Sequence, residues 1–426
     1  MNPFEKNTGK KNVIVIGGGF AGLQFIQNID PSIFNVLLID KLNHHQFQPL
    51  FYQVATSQLE PSSISFPFRR ILQNRKNLQI RMASVSEIEP ENNKVKTSIG
   101  DFLYDYLVIA AGCKTNFFGN KELKKHALTL KATYEAIAIR NHILKNFEKI
   151  ISVPESEKEA LRNIVIVGAG PTGVELAGSF AETKQKILPK DYPGIDFSKL
   201  NIFVIEGSKH TLSSMSSNAQ KASEKYLKDL GVTVFTEVFV KNYDGEQVTL
   251  SSGETIKSKN VIWAAGVIGN EINGLNKEII TKSNRIKVNR HNLAEGYDNI
   301  FAIGDIAYMP TPKYPDGHPQ LANVAIGQAK NLAKNLKRLY NQKPLKEYEY
   351  KDLGSMATIG KNKAIVDLPF IKLKGHFAWY VWMFLHLMLI LSVRNKLIIF
   401  INWAWNYFTE DSALRLIMAK PEKEVD

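Results

Sequence analysis

Two glycine-rich stretches in this chain of 426 residues have the spacing that cradles a phosphate. They are Asn12–Gly22 (NVIVIGGGFAG) and Asn163–Gly173 (NIVIVGAGPTG), and each begins with an apolar, β-branched run typical of a buried parallel strand. The GxGxxG glycines are Gly17, Gly19 and Gly22 in the first copy and Gly168, Gly170 and Gly173 in the second. Such glycines allow a tight turn, the approach of a pyrophosphate and close packing of the following helix. Each stretch therefore predicts a dinucleotide site.

A carboxylate follows each motif at the end of a second apolar strand. Asp40 closes NVLLID in the first copy, and Glu206 closes NIFVIE in the second. A carboxylate at this place can accept the protons of both hydroxyl groups of an adenosine ribose. A later strand in each copy ends in Ala-Gly, at Gly112 and Gly266. Two sites predict two dinucleotides, and the simplest chemistry that uses both is hydride transfer from a nicotinamide to a flavin.

The elements that must position these residues are two Rossmann-like domains, so the predicted fold class is α/β. A further apolar strand, Asn299–Ala307 (NIFAIGDIA), ends in Gly304-Asp305 and is expected to return to the first sheet, which makes the second domain an insertion in the first. The predicted boundaries are 1–115 and 285–345 for a discontinuous FAD-binding domain, 116–161 for a helical linker, 162–284 for an NAD(H)-binding domain and 346–426 for a C-terminal region that anchors the protein to a membrane.

Composition narrows the classes of partner. Lys and Arg number 54 against 41 Asp and Glu, which gives a net charge of +13 that suits nucleic acid or an anionic membrane surface. We find no nucleic-acid motif, and the basic residues are spread along the chain, so a membrane is favoured. The polar N-terminus MNPFEKNTGKK predicts no signal peptide, hence a place on the cytoplasmic face of a membrane.

Metal and thiol chemistry are not expected. The single cysteine, Cys113, allows neither a disulfide framework nor a thiolate zinc site. The adjacent His44 and His45 have no further His, Cys or acidic cluster at ligand spacing, so no metal is predicted there. These two histidines are interpreted as flanking a cofactor or as structural.

The C-terminal region is rich in apolar and aromatic residues. Phe377–Val393 is 17 residues long with only His386 and Ser392 polar, and Leu397–Phe408 follows; four of the five tryptophans lie here. Tryptophan is enriched at membrane interfaces, whereas a spanning helix needs about 20 apolar residues. The pattern therefore favours interfacial anchoring over a span. An apolar surface between the two subunits of a homodimer is the alternative, and the two roles are compatible.

Several stretches, in their order and wording, resemble type II NADH dehydrogenase, the single-chain NADH:quinone oxidoreductase of the two-dinucleotide-binding-domain flavoprotein superfamily. They are GGGFAG with Asp40, HHQFQPLFYQVAT (His44–Thr56), AAG, GAGPTGVELAG, WAAGV, AIGDIA and the aromatic tail. The resemblance implies FAD and NADH as cofactors and a membrane quinone as electron acceptor.

The resemblance also implies roles for individual residues. Gly17, Gly19, Gly22 and Asp40 would hold the adenosine diphosphate half of FAD, Val85 would flank its adenine, Asp305 would meet the ribityl chain, and Gly168, Gly170, Gly173 and Glu206 would hold NADH. Glu175 would face the junction of nicotinamide and flavin; a carboxylate favoured by the helix dipole is the structural alternative. The family's Ala-Gln motif near the flavin, where quinone arrives, corresponds to Ala322-Asn323, so Asn323 would contact the quinone through an amide that is one methylene shorter than the family's glutamine.

The predicted function is hydride transfer from NADH to FAD, followed by transfer of two electrons to a membrane quinone without proton pumping. Sulfide:quinone oxidoreductases and dithiol reductases need at least two cysteines near the flavin, and the chain has one. A soluble flavoprotein reductase of a small redox protein leaves the aromatic tail unexplained. A membrane-associated redox sensor that binds NAD(H) without turnover would share every binding motif, and steady-state turnover with a soluble quinone analogue separates it from an enzyme.

Overall fold

The computed structural model describes residues 9–412 and 414–418. The chain forms two compact units. Unit 1 contains the chain up to Gln46, Phe66–Lys114 and Val267–Asp352; unit 2 contains Phe47–Ser65, Thr115–Gly266 and the chain from Leu353 onward.

Strands and helices alternate along most of the chain and are numbered in chain order. The strands are β1 (Lys11–Ile16), β2 (Phe34–Asp40), β3 (His44–Gln46), β4 (Ser65–Pro67), β5 (Leu78–Met82), β6 (Val85–Glu89), β7 (Lys94–Thr97), β8 (Gly100–Leu103), β9 (Tyr106–Ile109), β10 (Cys113–Thr115), β11 (Leu128–Thr129), β12 (Ile164–Val167), β13 (Ile202–Ile205), β14 (Thr233–Phe235), β15 (Val240–Tyr243), β16 (Gln247–Leu250), β17 (Thr255–Lys257), β18 (Asn260–Trp263), β19 (Val267–Gly269), β20 (Ile286–Lys287), β21 (Ile300–Ala302), β22 (Ala307–Tyr308), β23 (Ser355–Thr358), β24 (Ala364–Asp367) and β25 (Lys372–Gly375). The helices are α1 (Phe20–Asn28), α2 (Phe51–Ala55), α3 (Phe68–Ile71), α4 (Lys121–His126), α5 (Thr133–Ile150), α6 (Glu155–Arg162), α7 (Pro171–Lys186), α8 (Leu188–Asp191), α9 (Ser217–Asp229), α10 (Ala322–Tyr340), α11 (His376–Leu389) and α12 (Val393–Thr409).

Unit 1 is built on a parallel sheet with strand order β21-β9-β1-β2-β5. Alternate residues of β1 enter different cores: Val13 and Val15 pack with side chains of α1 and α10, whereas Ile14 and Ile16 pack with side chains of β6, β7 and β8. Both faces of the sheet are therefore covered, as a buried parallel sheet requires. β21 pairs with β9, so the strand before Asp305 returns to the first sheet, as predicted.

Unit 2 contains a second parallel sheet, with strand order β11-β18-β12-β13-β14. All four residues of β12 are buried, and α7 follows it directly in the chain. The residues of this sheet lie, along the chain, between two parts of unit 1. The expected α/β class, with a second Rossmann-like domain inserted in the first, is thus confirmed. The 18-residue helix α5 lies in the stretch interpreted as a helical linker and belongs to unit 2.

The C-terminal part of unit 2 is an antiparallel sheet, β23-β24-β25, followed by α11 and α12. Helix α12 is fastened to the segment 47–65 of the same unit: the Asn395 side chain donates to the Ser63 carbonyl (2.9 Å), and the Trp403 indole donates to the Gln53 side chain (2.8 Å). Neither α11, with 14 residues, nor α12, with 17, nor another helix in the described part of the chain combines the length and apolarity needed to cross a membrane.

Candidate active site

The first glycine motif forms the turn between β1 and α1. Gly17 has a φ of +98°, and a Cβ added there would lie 2.4 Å from the Ala110 carbonyl oxygen; one added at Gly22 would lie 1.9 Å from the Gly17 oxygen. Neither position tolerates a side chain. At Gly19, the cap of α1, no heavy atom of the described residues lies within 4 Å of the added Cβ. The open backbone at this helix N-terminus fits a pyrophosphate, and so the residues present fit an FAD.

The second motif repeats this geometry between β12 and α7. Gly168 has a φ of +101°, and a Cβ at Gly173 would lie 1.9 Å from the Gly168 oxygen. Gly170 caps α7 and is as open as Gly19, again with respect to the residues that the structure describes. Pro171 occupies the first helical position, where its missing N–H costs nothing. This cradle fits the diphosphate of a nicotinamide dinucleotide.

The two predicted ribose acids stand beside their cradles in the same way. Asp40 accepts a hydrogen bond from the Gly18 N–H at 2.6 Å, and Glu206 accepts one from the Ala169 N–H at 2.6 Å. The second oxygen of Glu206 accepts from the backbone and the hydroxyl of Ser208, at 2.8 and 2.7 Å. Burial raises the pKa of Asp40, against hydrogen bonds that favour its charged form. The sequence-predicted acids and glycines are thus brought together in both units.

The carboxyl ends of β9 and β21 lie next to each other in unit 1 and carry Gly112, Gly304 and Asp305. The Cys113 thiol donates to Asp305 at 3.1 Å, which ties the single cysteine to the residue expected to meet the ribityl chain. The Gly304 N–H donates to the side chain of Gln328 at 2.8 Å. Gln328 was not singled out from the sequence, although an uncharged polar residue on the buried face of α10 was the available signal.

The other predicted residues occupy different places. Val85 begins β6 and pairs with Thr97 of β7. Gly266 follows β18 with a φ of +74°, and a Cβ there would lie 2.7 Å from the Phe118 ring. Asn323 is the second residue of α10 in unit 1 and is half-buried. Its contact with quinone stays a prediction.

Unit 2 contains a cavity of about 120 Å³ with two chemically different ends. One end is mainly aromatic and is formed by the tail helices and Tyr52 of α2; the other is charged, and the two meet where the Lys361 ammonium lies 4.3 Å from the centre of the Tyr407 ring. The aromatic end is lined by Tyr52, Trp379, Trp382, Trp403 and Tyr407, and the polar end by Glu182, Lys186, Lys361 and Glu410. The four residues of the polar end also line a more open hollow on the same unit.

Glu175 lines this cavity from α7. Its side chain is 7% exposed, and the Thr358 N–H lies 3.4 Å from one of its oxygens. Burial raises the pKa of Glu175 well above its usual value, which favours the protonated form of the carboxyl group.

A second acid, Glu182, lines the cavity two helical turns after Glu175. It accepts the Lys361 N–H at 2.5 Å, and burial raises its pKa. At the surface, Lys186 and Lys361 both bind Glu410, at 2.7 and 3.1 Å. Sequence reasoning missed Glu182, although residues 175, 179, 182 and 186 share one face of a helix by their spacing.

Comparison with known proteins places this site in a family. A model of the pyridine nucleotide-disulphide oxidoreductase family matches residues 11–329, and a model of the NDH2 C-terminal domain matches residues 353–410. The type II NADH:quinone oxidoreductase NdhA of Mycobacterium tuberculosis is 30% identical over 414 residues, 94% of this chain and 87% of the relative. The type II NADH:quinone oxidoreductase of Staphylococcus aureus is 29% identical over 370 residues, 84% of this chain and 89% of the relative. A structure of NDH2 from Plasmodium falciparum in complex with NADH matches with a TM-score of 0.89 at 23% identity, covering 96% of this chain and 100% of that chain.

The protein has two parallel β-sheets, and each carries a glycine cradle whose backbone is hydrogen-bonded to an acidic side chain. This arrangement defines an oxidoreductase with two dinucleotide sites. The chain belongs to the pyridine nucleotide-disulphide oxidoreductase family and, within it, to the type II NADH:quinone oxidoreductases. The expected enzyme class and the expected cofactors, FAD and NADH, are confirmed by this membership.

Proposed function

We propose that this chain is a non-proton-pumping NADH:quinone oxidoreductase, with NADH in the cradle of unit 2 and FAD in the cradle of unit 1. Bound FAD supplies the chemistry, since it takes a hydride and gives up two electrons. The observation that carries the proposal is the position of Glu175. The N-terminus of α7 forms the second cradle, and Glu175, four residues after Pro171 on the same helix, lines the cavity.

The cavity suits a quinone head group. Its volume is close to the ~150 Å³ that accepts a benzene ring, and its aromatic end offers faces on which a flat ring packs. The indole N–H of Trp382 is buried in the wall without an acceptor in the described part of the chain, and a quinone carbonyl would supply one. Quinone reduction consumes two protons. Glu175, which is buried and has a raised pKa, is placed to donate one.

Glu182 is placed to resupply that proton. It belongs to the polar end and follows Glu175 by two turns on α7, and with Lys186, Lys361 and Glu410 it also lines the more open hollow. Proton entry at the polar end would leave the aromatic end free for the apolar tail of the quinone. The aromatic end would thus admit the lipid-soluble oxidant, and the polar end would admit protons from water.

Turnover is the direct test of the proposed function. Purified enzyme with bound flavin is expected to oxidise NADH at a rate that rises with the concentration of a soluble quinone analogue. The absorbance of NADH at saturating nucleotide measures this rate. Binding of NADH without quinone-dependent oxidation would instead support the redox sensor.

We infer that α11 and α12 dock on a lipid surface. Their inward residues, such as Trp382, Ile399 and Trp403, are buried, whereas the outward ones are large and apolar. The outward residues, each at least half exposed, are Phe377, Tyr380, Phe384, Met388, Leu389, Val393, Leu397, Phe400, Ile401, Trp405 and Phe408. An apolar face of this extent, rich in aromatic side chains, is typical of a helix that lies in the interface. We propose the cytoplasmic face of the membrane as this surface.

Charges placed on this face are expected to release the enzyme from membranes. The variant Phe384→Glu/Phe400→Glu should bind vesicles of anionic phospholipid at least ten-fold more weakly than wild type, because two carboxylates would have to leave water. Co-sedimentation with vesicles measures the binding. The control is Ile151→Glu, at an apolar residue of unit 2 that is equally exposed but lies outside the tail (63% exposed).

Truncation of the tail is a poorer test, because α12 is hydrogen-bonded to the segment 47–65 and its removal would expose that segment. Unchanged vesicle binding by the double variant would contradict the lipid assignment. If the double variant also changed from dimer to monomer, a homodimer interface would be the better interpretation of this face.

Glu206 is expected to select NADH over NADPH. Its two oxygens are held by backbone N–H groups beside the second cradle, so the carboxylate would stand close to the 2′-phosphate of NADPH and repel it. Glu206→Gln should lower the ratio of kcat/KM for NADH to kcat/KM for NADPH by about ten-fold or more, which corresponds to ~1.4 kcal/mol. Lys209 and His210 lie nearby in sequence and limit the effect. Equal use of both nucleotides by the wild type would contradict this role.

A further inference from the structure

Each cradle holds the residue between its first two glycines through both its N–H and its carbonyl, but the donor to the carbonyl differs between the cradles. In the second cradle, the Ala169 N–H donates to Glu206, and the Ala169 carbonyl accepts from the backbone N–H of Leu212 at 2.8 Å. Apart from the Glu206 side chain, the groups in these two bonds are backbone groups. The Ala169 carbonyl is therefore fixed by backbone alone.

The first cradle uses a side chain for the same purpose. The Gly18 N–H donates to Asp40 at 2.6 Å, and Nδ1 of His45 lies 3.0 Å from the Gly18 carbonyl oxygen. A carbonyl oxygen only accepts, so Nδ1 carries the proton of this hydrogen bond. The His45 side chain thus takes the place that the Leu212 backbone has in the second cradle.

His45 is held rigidly in this position. The side chain is 2% exposed, and its ring meets that of Phe20, the first residue of α1, edge to face at 5.1 Å between centroids. Burial lowers the pKa of His45 to about 4, so near pH 7 the ring is neutral with its single proton on Nδ1. The donor is therefore present throughout the physiological range.

The Gly18 peptide also has a packing neighbour. A Cβ added at Gly18 would lie 2.2 Å from the ring of Phe68, so this residue is limited to glycine and its backbone rests against an aromatic ring. Asp40 fixes the peptide plane between Gly17 and Gly18 through the Gly18 N–H, whereas His45 fixes the next plane, immediately before Gly19, the open position that caps α1, through the Gly18 carbonyl. The orientation of this plane decides where the cradle presents its backbone N–H groups.

We propose that His45 is a positioning residue of the FAD site, which shapes the first cradle through the Gly18 carbonyl. The proposal rests on the proposed function through the assignment of FAD to this cradle. His45 belongs to the HHQFQPLFYQVAT stretch, whose two histidines the sequence left as either cofactor-flanking or structural. The geometry distinguishes them: the ring of His45 binds the cradle backbone, whereas Nδ1 of His44 is hydrogen-bonded to its neighbour Asn43 at 2.8 Å.

The affinity of the apoprotein for FAD is the measurement that tests this role. His45→Phe keeps a buried aromatic ring but loses the donor, and it should raise the FAD dissociation constant about ten-fold, as measured by quenching of FAD fluorescence. His45→Asn places an amide nitrogen where Nδ1 stands, and it should restore the affinity to within about three-fold of wild type. His44→Asn is the matched control and should bind FAD as wild type does. The dissociation constant of NAD⁺ at the second cradle should not change in any variant.

Two results would overturn the proposal. One is an FAD affinity of His45→Phe equal to that of wild type. The other is an equal loss in His45→Phe and His45→Asn together with a lower melting temperature of the apoprotein, because packing alone would then explain the loss. Failure of the wild-type apoprotein to bind FAD would contradict the proposed function itself, and this outcome is distinct from both.

Discussion

Glu175→Gln is expected to lower quinone-dependent NADH oxidation about 100-fold, while the rate at which NADH bleaches the bound flavin stays within about three-fold of wild type. The variant keeps the volume and a hydrogen-bond acceptor for the Thr358 N–H but removes the proton that a neutral carboxyl group can give. A positioned general acid contributes roughly 10²–10⁴-fold. Stopped-flow absorbance at the flavin band separates the two half-reactions.

Two further variants sharpen this test. Glu182→Gln should have a smaller effect, about ten-fold, because it lies one step further from the proposed quinone position and water in the open hollow can replace it. Glu157→Gln changes an exposed acid in the first turn of α6 and should have no effect. Equal slowing of both half-reactions by Glu175→Gln would place this residue at the nicotinamide instead, as the family resemblance implies. Unchanged kinetics would leave it a structural residue.

The difference in stability between Glu175→Gln and wild type should depend on pH. The pKa of Glu175 is raised in the folded protein, so above the unfolded value of about 4.5 the folded state binds more protons than the unfolded state. Wild-type stability therefore falls as pH rises through that value and towards the folded pKa. Glutamine does not titrate, so Glu175→Gln should gain in melting temperature relative to wild type as pH rises. A buried acid kept at a cost in stability is typical of a functional group.

The sequence could predict both cradles because their requirements are local. Gly17 and Gly168 need a positive φ, and Gly22 and Gly173 have no room for a Cβ, so these glycines report a backbone shape directly. The return of β21 to the first sheet was also predictable. An apolar strand needs a neighbouring strand to pair with, and the edge of the first sheet was available to this one.

The cavity could not be predicted, because its walls come from distant parts of the chain. Gln53 and Trp403, which are hydrogen-bonded, are 350 residues apart in sequence. The apolar pattern of the tail indicates that its helices pack against another surface. It does not indicate that the inner face of α12 packs against the segment 47–65. His45 is similar, since a single side chain that replaces a backbone donor leaves no periodic signal.

Helix α7 connects the parts that the sequence shows with those that it hides. Its N-terminus and its glycines belong to the cradle motif, whereas Glu175 and Glu182 lie on the face that meets β23 and the cavity. Gly178, between them, has no room for a Cβ because the backbone of Ile359 lies 2.7 Å from that position. The helix thus packs closely against the C-terminal part of unit 2, and this contact holds the face that carries Glu175 and Glu182 against that part.

Gly170→Ala is expected to weaken NADH binding about 100-fold without a change in melting temperature or FAD content. The added methyl group meets no atom of the described residues, and the φ of −70° suits alanine, so the fold should not suffer. The same methyl group would stand where the pyrophosphate approaches the backbone, and so the loss falls on the ligand alone. Isothermal titration with NAD⁺ and the flavin absorbance of the purified protein measure the two effects.

Gly19→Ala is the reciprocal variant and assigns each dinucleotide to its cradle. It also adds a methyl group in open space, with a φ of −65°, and it should reduce bound FAD about 100-fold while NAD⁺ binding to unit 2 remains. Gly194→Ala, at an open glycine outside both motifs, should change neither. A loss of FAD from Gly170→Ala with NAD⁺ binding retained would exchange the two assignments. Loss of both ligands from either variant, at unchanged melting temperature, would mean that the two sites do not bind independently. Separate losses are expected because each added methyl group lies at the N-terminus of a different helix. Helix α1 follows a strand of the first sheet, and helix α7 follows a strand of the second.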